Sequence, residues 1–229
     1  ALYIINKEAT ELSSIGIILA GGIGSRFGDD KPKQYCTIFD KEMIWYSIDA
    51  FRKAKTIDDF IVVVDANEMK SGRLNKDYGV TLVQGGSTRN ESFKNALDYI
   101  HEHFPDCENI IENNAACPMI TPELIDEFIT LLKDYDYVNT AYKITDALGS
   151  YKDRIANRED FYLIQAPDAY RFPLLYKHFD ENSELCHPAH QLPRDSKEYR
   201  YFDYNDNYKV TYPEDIMIVE MLMNRRKNK

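Results

Sequence analysis

Two segments, IGIILA (Ile15–Ala20) and DFIVVV (Asp59–Val64), are nearly unbroken apolar runs rich in β-branched residues. A strand with one wet face alternates apolar and polar positions, whereas a strand covered on both faces does not. Such runs therefore call for a sheet with helices on either side. VTLV (Val80–Val83) and NIIE (Asn109–Glu112) read as further strands. Between the strands lie stretches with helical spacing: Met43–Ala54, Ser92–His103 and Pro122–Lys133. Thr121–Pro122 reads as an N-cap followed by proline at the first helical position. Strands alternating with helices imply βαβ units. The expectation is an α/β chain: a Rossmann-like, three-layer fold on a mostly parallel twisted sheet.

The pattern loosens after Tyr137. The polar stretch from about 142 to 160 reads as an inserted β-arm, an excursion from the sheet. Phe161–Gln165 reads as a strand again, and Pro173–Phe179 and Pro213–Asn224 as helices. Thr211 and Glu214 stand at capping-box spacing. Lys209 falls on an expected strand just before them. With no internal repeat and no Gly/Ser/Pro-rich linker, 1–229 is expected to form one domain, with 1–14 an extension and 224–229 a frayed basic tail.

Composition narrows the partners. The 229 residues carry 28 Lys+Arg against 38 Asp+Glu, a net charge of −10. An acidic chain is a poor electrostatic match for nucleic acid or an anionic membrane. No apolar run approaches the roughly 20 residues that a spanning helix needs. Cys36, Cys107, Cys117 and Cys186 form no C-x-x-C pair, so reduced thiols are expected rather than a zinc site or disulfides. The N-terminus shows no basic-then-apolar leader, and the expected setting is cytoplasmic.

Three clusters can carry chemistry. The first strand runs into AGGIGSRFGDDKPKQY (Ala20–Tyr35). Gly21, Gly22 and Gly24 let the backbone turn tightly and offer N–H groups to an anion. The dinucleotide fingerprint does not fit, because Gly28 comes one residue late, and the Walker A Gly-Lys-Ser/Thr is missing. Arg26 and Lys33 can converge on a polyanion such as a triphosphate; a solvated basic turn is the plainer alternative. The second cluster, GGSTRNES (Gly85–Ser92), opens a helix after a strand. A helix N-terminus there suits an anion or polar ligand, though an ordinary connection reads the same way. In the third, NDNYKVTYPEDI (Asn205–Ile216), Lys209 is either a surface lysine or a third cation for the same pocket.

Taken together, LAGGIGSRFGDDKPKQY, GGSTRNES and NYKVTYPED resemble the cytidylyltransferases of the methylerythritol-phosphate and ribitol-phosphate type. Thr145–Asp146, the Arg158-to-Gln165 spacing and APDAYRF (Ala166–Phe172) extend the likeness from about Ile15 to Met223. The resemblance implies a nucleotidyltransferase fold, CTP as substrate with Mg²⁺, and a homodimer in which the arm reaches the partner's acceptor site. It implies nucleotide binding by Ala20, Gly21, Gly22, Gly24, Ser25, Gly86, Ser87, Arg89, Ser92 and Asn114. Arg26, Lys33 and Lys209 would meet the phosphates. Thr145, Asp146, Arg158, Gln165, His187 and His190 would face the acceptor. Asn114 would contribute weakly to a metal held mostly by the triphosphate.

The chain departs from that family on the acceptor side. Where the family reads His-Asp-Ala-Ala-Arg-Pro, ENNAACPM (Glu112–Met119) puts Asn113, Asn114 and Cys117. Ala166 replaces a threonine, and CHPAH (Cys186–His190) occupies the region of a lost T-D-D-A. His187 and His190 can supply the missing donors. The leading expectation is CMP transfer to a small polyol phosphate or phosphonate, making a CDP-alcohol or CMP-phosphonate for cell-surface polymers. A methylerythritol-phosphate enzyme and a nucleotide-binding paralogue without turnover stay open.

Overall fold

The computed structural model describes residues 13–22, 32–151, 157–204 and 207–228. Its main sheet has seven strands. In chain order they are β1 (Ser13–Leu19), β4 (Asp59–Val64), β5 (Thr81–Gln84), β6 (Cys107–Asn114), β7 (Tyr137–Lys143), β8 (Tyr162–Arg171) and β9 (Glu198–Tyr201). A two-stranded ribbon, β2 (Thr37–Ile38) and β3 (Lys41–Glu42), stands apart. The spatial order is β5-β4-β1-β6-β8-β7-β9. β1 pairs in parallel with β4 and β6, β4 with β5, and β7 with β9; β8 runs antiparallel between β6 and β7. The mostly parallel expectation holds, and the two apolar runs, β1 and β4, lie side by side, each with a strand on either side.

Seven α-helices are formed among the described residues: α1 (Met43–Lys53), α2 (Ala66–Ser71), α3 (Arg73–Tyr78), α4 (Arg89–His103), α5 (Pro122–Leu131), α6 (Phe172–His178) and α7 (Asp215–Lys227). On one face Ile18, Val62 and Ile111 pack with Ile48 and Phe51 of α1 and Phe128 of α5. On the other, Ile17, Val63 and Ile110 pack with Phe93 and Leu97 of α4 and Leu175 of α6. Three layers result. Gly16 shows how tightly they close: a Cβ there would lie 2.4 Å from the Phe51 ring and 2.9 Å from Phe60 Cβ.

Caps explain the helix starts. Thr121 Oγ1 accepts from Leu124 N at 3.2 Å, with Pro122 at the first helical position, as the sequence predicts. The Thr211–Glu214 capping box does not form. The helix begins at Asp215, whose Oδ2 accepts from the N–H groups of Thr211 and Tyr212 at 2.7 and 2.8 Å. The carboxylate turns back along the chain and takes the back-reaching role expected of Glu214. Lys209 is also off the sheet: no strand covers 207–211, and Val210 N donates to Ala116 O at 2.8 Å. Asn224 and the basic residues 225–227 continue α7 rather than fray, and Arg226 Nη1 donates to Met119 O at 2.6 Å.

β7 and β9 are longer-range products. β7 pairs with β8 from Tyr137↔Tyr170 to Lys143↔Tyr162, so the stretch beyond Lys143 leaves from the tip of an antiparallel pair. Within it Arg158 donates to the carbonyl of Thr145. Residues 152–156 lie outside the described residues.

Candidate active site

Chain connections from β1 lead to β4 and β5 on one side, and β6 lies on the other. Open α/β sheets bind ligands at such a switch point, beyond the carboxyl ends of the strands. A cavity of about 790 Å³ opens there. Ala20–Gly22 line it from the end of β1, Gln84–Arg89 from β5, and Asn114–Ala116 from β6. Lys33, Lys209 and Thr211 close it from the side.

The first loop is held by a side chain that the sequence reading passed over. Gln34, 3% exposed, donates from Nε2 to Ala20 O at 2.7 Å and Gly22 O at 3.1 Å. Ala20 N donates back to Val63 O at 2.8 Å. Both carbonyls are thus occupied within the protein, as a loop presenting N–H groups to an anion requires. Gly24, Ser25 and Arg26 lie outside the described residues. Lys33 Nζ donates to Val210 O at 2.9 Å, which ties the first loop to the segment carrying Lys209.

The second loop is braced by its own helix. Thr88 caps α4, with Oγ1 accepting from Glu91 N at 3.0 Å. Glu91 Oε2 accepts from both Ser87 N and Ser87 Oγ at 2.6 Å. Those bonds hold the Glu91 carboxyl below the usual range. Ser92 Oγ accepts from Gly86 N at 3.1 Å and donates to Thr88 O at 2.8 Å. A Cβ on Gly86 would lie 2.3 Å from Glu91 Cβ, so the turn excludes a side chain. The four-residue spacing from Ser87 to Glu91 was the available signal for this brace.

The departures on β6 have distinct fates. Asn114 lines the cavity, and its Oδ1 accepts from Ala116 N at 2.9 Å. Asn113 is buried and donates to Ser47 Oγ at 3.0 Å and Cys117 O at 3.1 Å. Cys117 is buried too, and burial pushes its thiol up to about 12. It neither lines the cavity nor offers a thiolate.

Arg89, the first residue of α4, also lines the cavity. Its Nη2 donates to Glu112 Oε1 at 2.6 Å and its Nη1 to Cys186 O at 3.1 Å. Thr145, Asp146, Arg158, Gln165, His187 and His190 do not line this cavity. His187 and His190 do face each other, with rings 5.3 Å apart, at a short helical turn over Pro188–Gln191. His187 Nε2 lies 3.1 Å from Asp168 Oδ2. Burial pushes the Asp168 carboxyl up to about 6, against the pull of His187. Burial and the neighbouring His187 pull His190 down.

Among the described residues no group of three or more His, Cys, Asp or Glu could hold a metal ion. Asn114 and Asp65 put one amide and one carboxylate on the cavity wall. Asp65 Oδ1 is engaged in capping α2, accepting from Asn67 N at 2.7 Å and Glu68 N at 3.1 Å. That donor set is no cage, but it fits a hydrated Mg²⁺ carried in on phosphate oxygens. No helix among the described residues is long and apolar enough to cross a membrane.

A mostly parallel sheet, two glycine-rich loops at strand ends and lysines converging on one cavity define a nucleotidyltransferase. The model of one such family, IspD, 2-C-methyl-D-erythritol 4-phosphate cytidylyltransferase, matches residues 15–225, and the chain belongs to that family. It is thus a cytidylyltransferase, an enzyme that uses CTP. A 2-C-methyl-D-erythritol 4-phosphate cytidylyltransferase of Alkaliphilus metalliredigens is 27% identical, over 93% of each chain. The bifunctional ribulose 5-phosphate reductase/CDP-ribitol pyrophosphorylase Bcs1 of Haemophilus influenzae is 26% identical over 93% of this chain and 48% of its own length. The crystal structure of 4-diphosphocytidyl-2C-methyl-D-erythritol synthase from Anaerococcus prevotii superposes with a TM-score of 0.78. It is 22% identical, and the match covers 94% of this chain and all of that one.

Proposed function

We propose that this enzyme transfers CMP from CTP to the phosphate of a small polyol phosphate, or to a phosphonate, releasing pyrophosphate. One observation carries the reading. Ala20–Gly22 and Gly85–Ser92, which carry the motifs of the resemblance's CTP side, meet at one cavity, while Asn113, Asn114 and Cys117 stand where the resemblance expects His, Asp and Arg, Asn114 alone of the three on the cavity wall.

The chemistry asks little of the protein beyond placement and charge. A phosphomonoester has a second pKa near 6, so the attacking oxygen is already ionised at neutral pH and needs no general base. It attacks the α-phosphorus in line, and the bond to the pyrophosphate oxygen breaks. The glycine loops bind the nucleotide through backbone N–H groups. Lys33 and Arg26 hold the leaving triphosphate end, and Lys209 meets the charge that grows at the α-phosphate. Asn114 would contribute weakly to a Mg²⁺ held mostly by the triphosphate, and that ion would supply further neutralisation of the phosphates. Thr145, Asp146, Arg158, Gln165 and His190 are proposed for the acceptor side, completed by the arm of a partner subunit.

Pyrophosphate release tests this, with CTP, Mg²⁺ and ribitol 5-phosphate, both glycerol phosphates, 2-C-methyl-D-erythritol 4-phosphate and 2-aminoethylphosphonate in turn. Turnover with ribitol 5-phosphate, a glycerol phosphate or the phosphonate is the expected result. Turnover with methylerythritol phosphate alone would give the acceptor that most relatives' names carry and refute the polyol reading. CTP binding without turnover on any acceptor would identify a paralogue that has lost the chemistry.

A further inference from the structure

Arg89 sits where a cation is disfavoured. It is the first residue of α4, at the positive end of the helix dipole. What holds it there is a buried network. Glu112, 0% exposed near the end of β6, takes Arg89 Nη2 at 2.6 Å. Directly across the β6–β8 pair stands Asp168, also buried. Like charges opposite one another in a sheet repel, and the interior screens them poorly. Each carboxylate has its own partner: Arg89 for Glu112, His187 for Asp168.

One strap touches both ends of the network. Cys186 gives its carbonyl to Arg89 Nη1 at 3.1 Å, and the next residue, His187, meets Asp168 at 3.1 Å. Asn90, beside Arg89, donates from Nδ2 to the carbonyls of Ser183 and Leu185 at 3.1 and 3.2 Å. Buried ion pairs are often no more stabilising than apolar residues of the same size. Fold stability therefore gives no reason for two facing carboxylates in this interior. Their visible effect is a guanidinium gripped from two sides at the cavity wall, with two of its five donors engaged by the protein.

We propose that Glu112, Asp168 and His187 are positioning residues: His187 on Asp168 fastens the 183–187 strap, and strap and Glu112 together aim Arg89 at the phosphates of CTP. The proposal rests on the cavity being the CTP site. It gives His187 a role through Arg89 rather than on the acceptor.

The test is a double-mutant cycle on CTP affinity, measured by calorimetry with Mg²⁺ on the full chain: wild type, Arg89→Ala, His187→Ala and the double variant. Melting temperatures are recorded alongside. His187→Ala is expected to weaken CTP at least about fivefold in the wild-type background and to have no further effect once Arg89 is gone. His187→Gln, which keeps a donor for Asp168, recovers most of the loss; if the alanine variant does not fold, His187→Leu, which fills the space but donates nothing, replaces it in the cycle. An equal loss in both backgrounds, or CTP affinity within twofold of wild type for His187→Ala, overturns the proposal while leaving the CTP site standing. Failure of the wild type to bind CTP overturns the site itself, and the relay with it.

Discussion

Gln34→Ala isolates the bracing of the first loop from its phosphate contacts. Gln34 is 3% exposed, and its amide nitrogen serves two carbonyls, at 2.7 and 3.1 Å. The two carbonyls fare differently on truncation. Gly22 is exposed, so water can replace the lost donor there. Ala20 is 3% exposed, and its carbonyl loses a donor where water does not readily reach. An unsatisfied buried acceptor costs about 1–3 kcal/mol. For a chain of this size each kcal/mol moves Tm by about 2–4 °C, so a fall of roughly 2–12 °C is expected. The same carbonyls, released, can turn toward the cavity proposed to hold the triphosphate. Restoring the loop on binding should then cost about 1 kcal/mol, which is about a fivefold rise in the Kd for CTP. Calorimetry with CTP and thermal denaturation read the two effects separately. Gln34→Ala with CTP affinity within twofold of wild type would refute the bracing argument, whatever the Tm. Gln34→Glu sharpens the contrast: a carboxylate facing two carbonyls has lost its donor and gained repulsion, and should bind CTP less well than the alanine variant.

Three further outcomes are expected. Lys33→Ala should lower kcat/KM at least tenfold, about 1.4 kcal/mol of transition-state stabilisation; steady-state pyrophosphate release checks it, and an unchanged value removes Lys33 from the reaction. Gly86→Ala should push Glu91 aside, since its Cβ would lie 2.3 Å from Glu91 Cβ, and cost about 1–3 kcal/mol in urea unfolding, with weakened CTP binding. Asp168 binds its proton more tightly folded than unfolded, because burial raises its carboxyl from 3.8 to about 6. Its contribution to stability is therefore greatest below about pH 4 and is lost as pH rises through about 6, the reverse of a salt-bridged surface carboxylate. Urea titrations of wild type and Asp168→Asn at pH 4 to 7 should show the wild type losing ground to the variant as pH rises; a constant difference would contradict this.

What was readable along the chain follows from locality. A strand covered on both faces must be apolar throughout, so β1 and β4 announced themselves and the mostly parallel sheet came with them. Glycine turns at strand ends, and a threonine cap followed by proline, act over a few residues, so Ala20–Gly22, Gly85–Ser92 and Thr121 were all legible. β7 and β9 were not, because their polar and aromatic residues become strand only when β8 and β7 supply partners. The first turn of α7 differs for a similar reason: neighbouring carboxylates at 214 and 215 can each reach back along the chain, and only the folded geometry puts Asp215 there.

The sequence by itself determined the α/β class and the two glycine loops that line the cavity, because hydrophobic periodicity and turn chemistry are properties of neighbouring residues. Only the tertiary structure decided which side chains work together. Lys33 reaches Val210 across 177 positions, and Gln34 reaches back to grip the loop that precedes it. Glu112 and Asp168 are unremarkable charges in the sequence. They become a buried, facing pair only through the register of β6 on β8, and that register brings in Arg89 and His187 from helix and strap. A buried charge must find its partner in space, and the chain records no spacing by which that partner can be read.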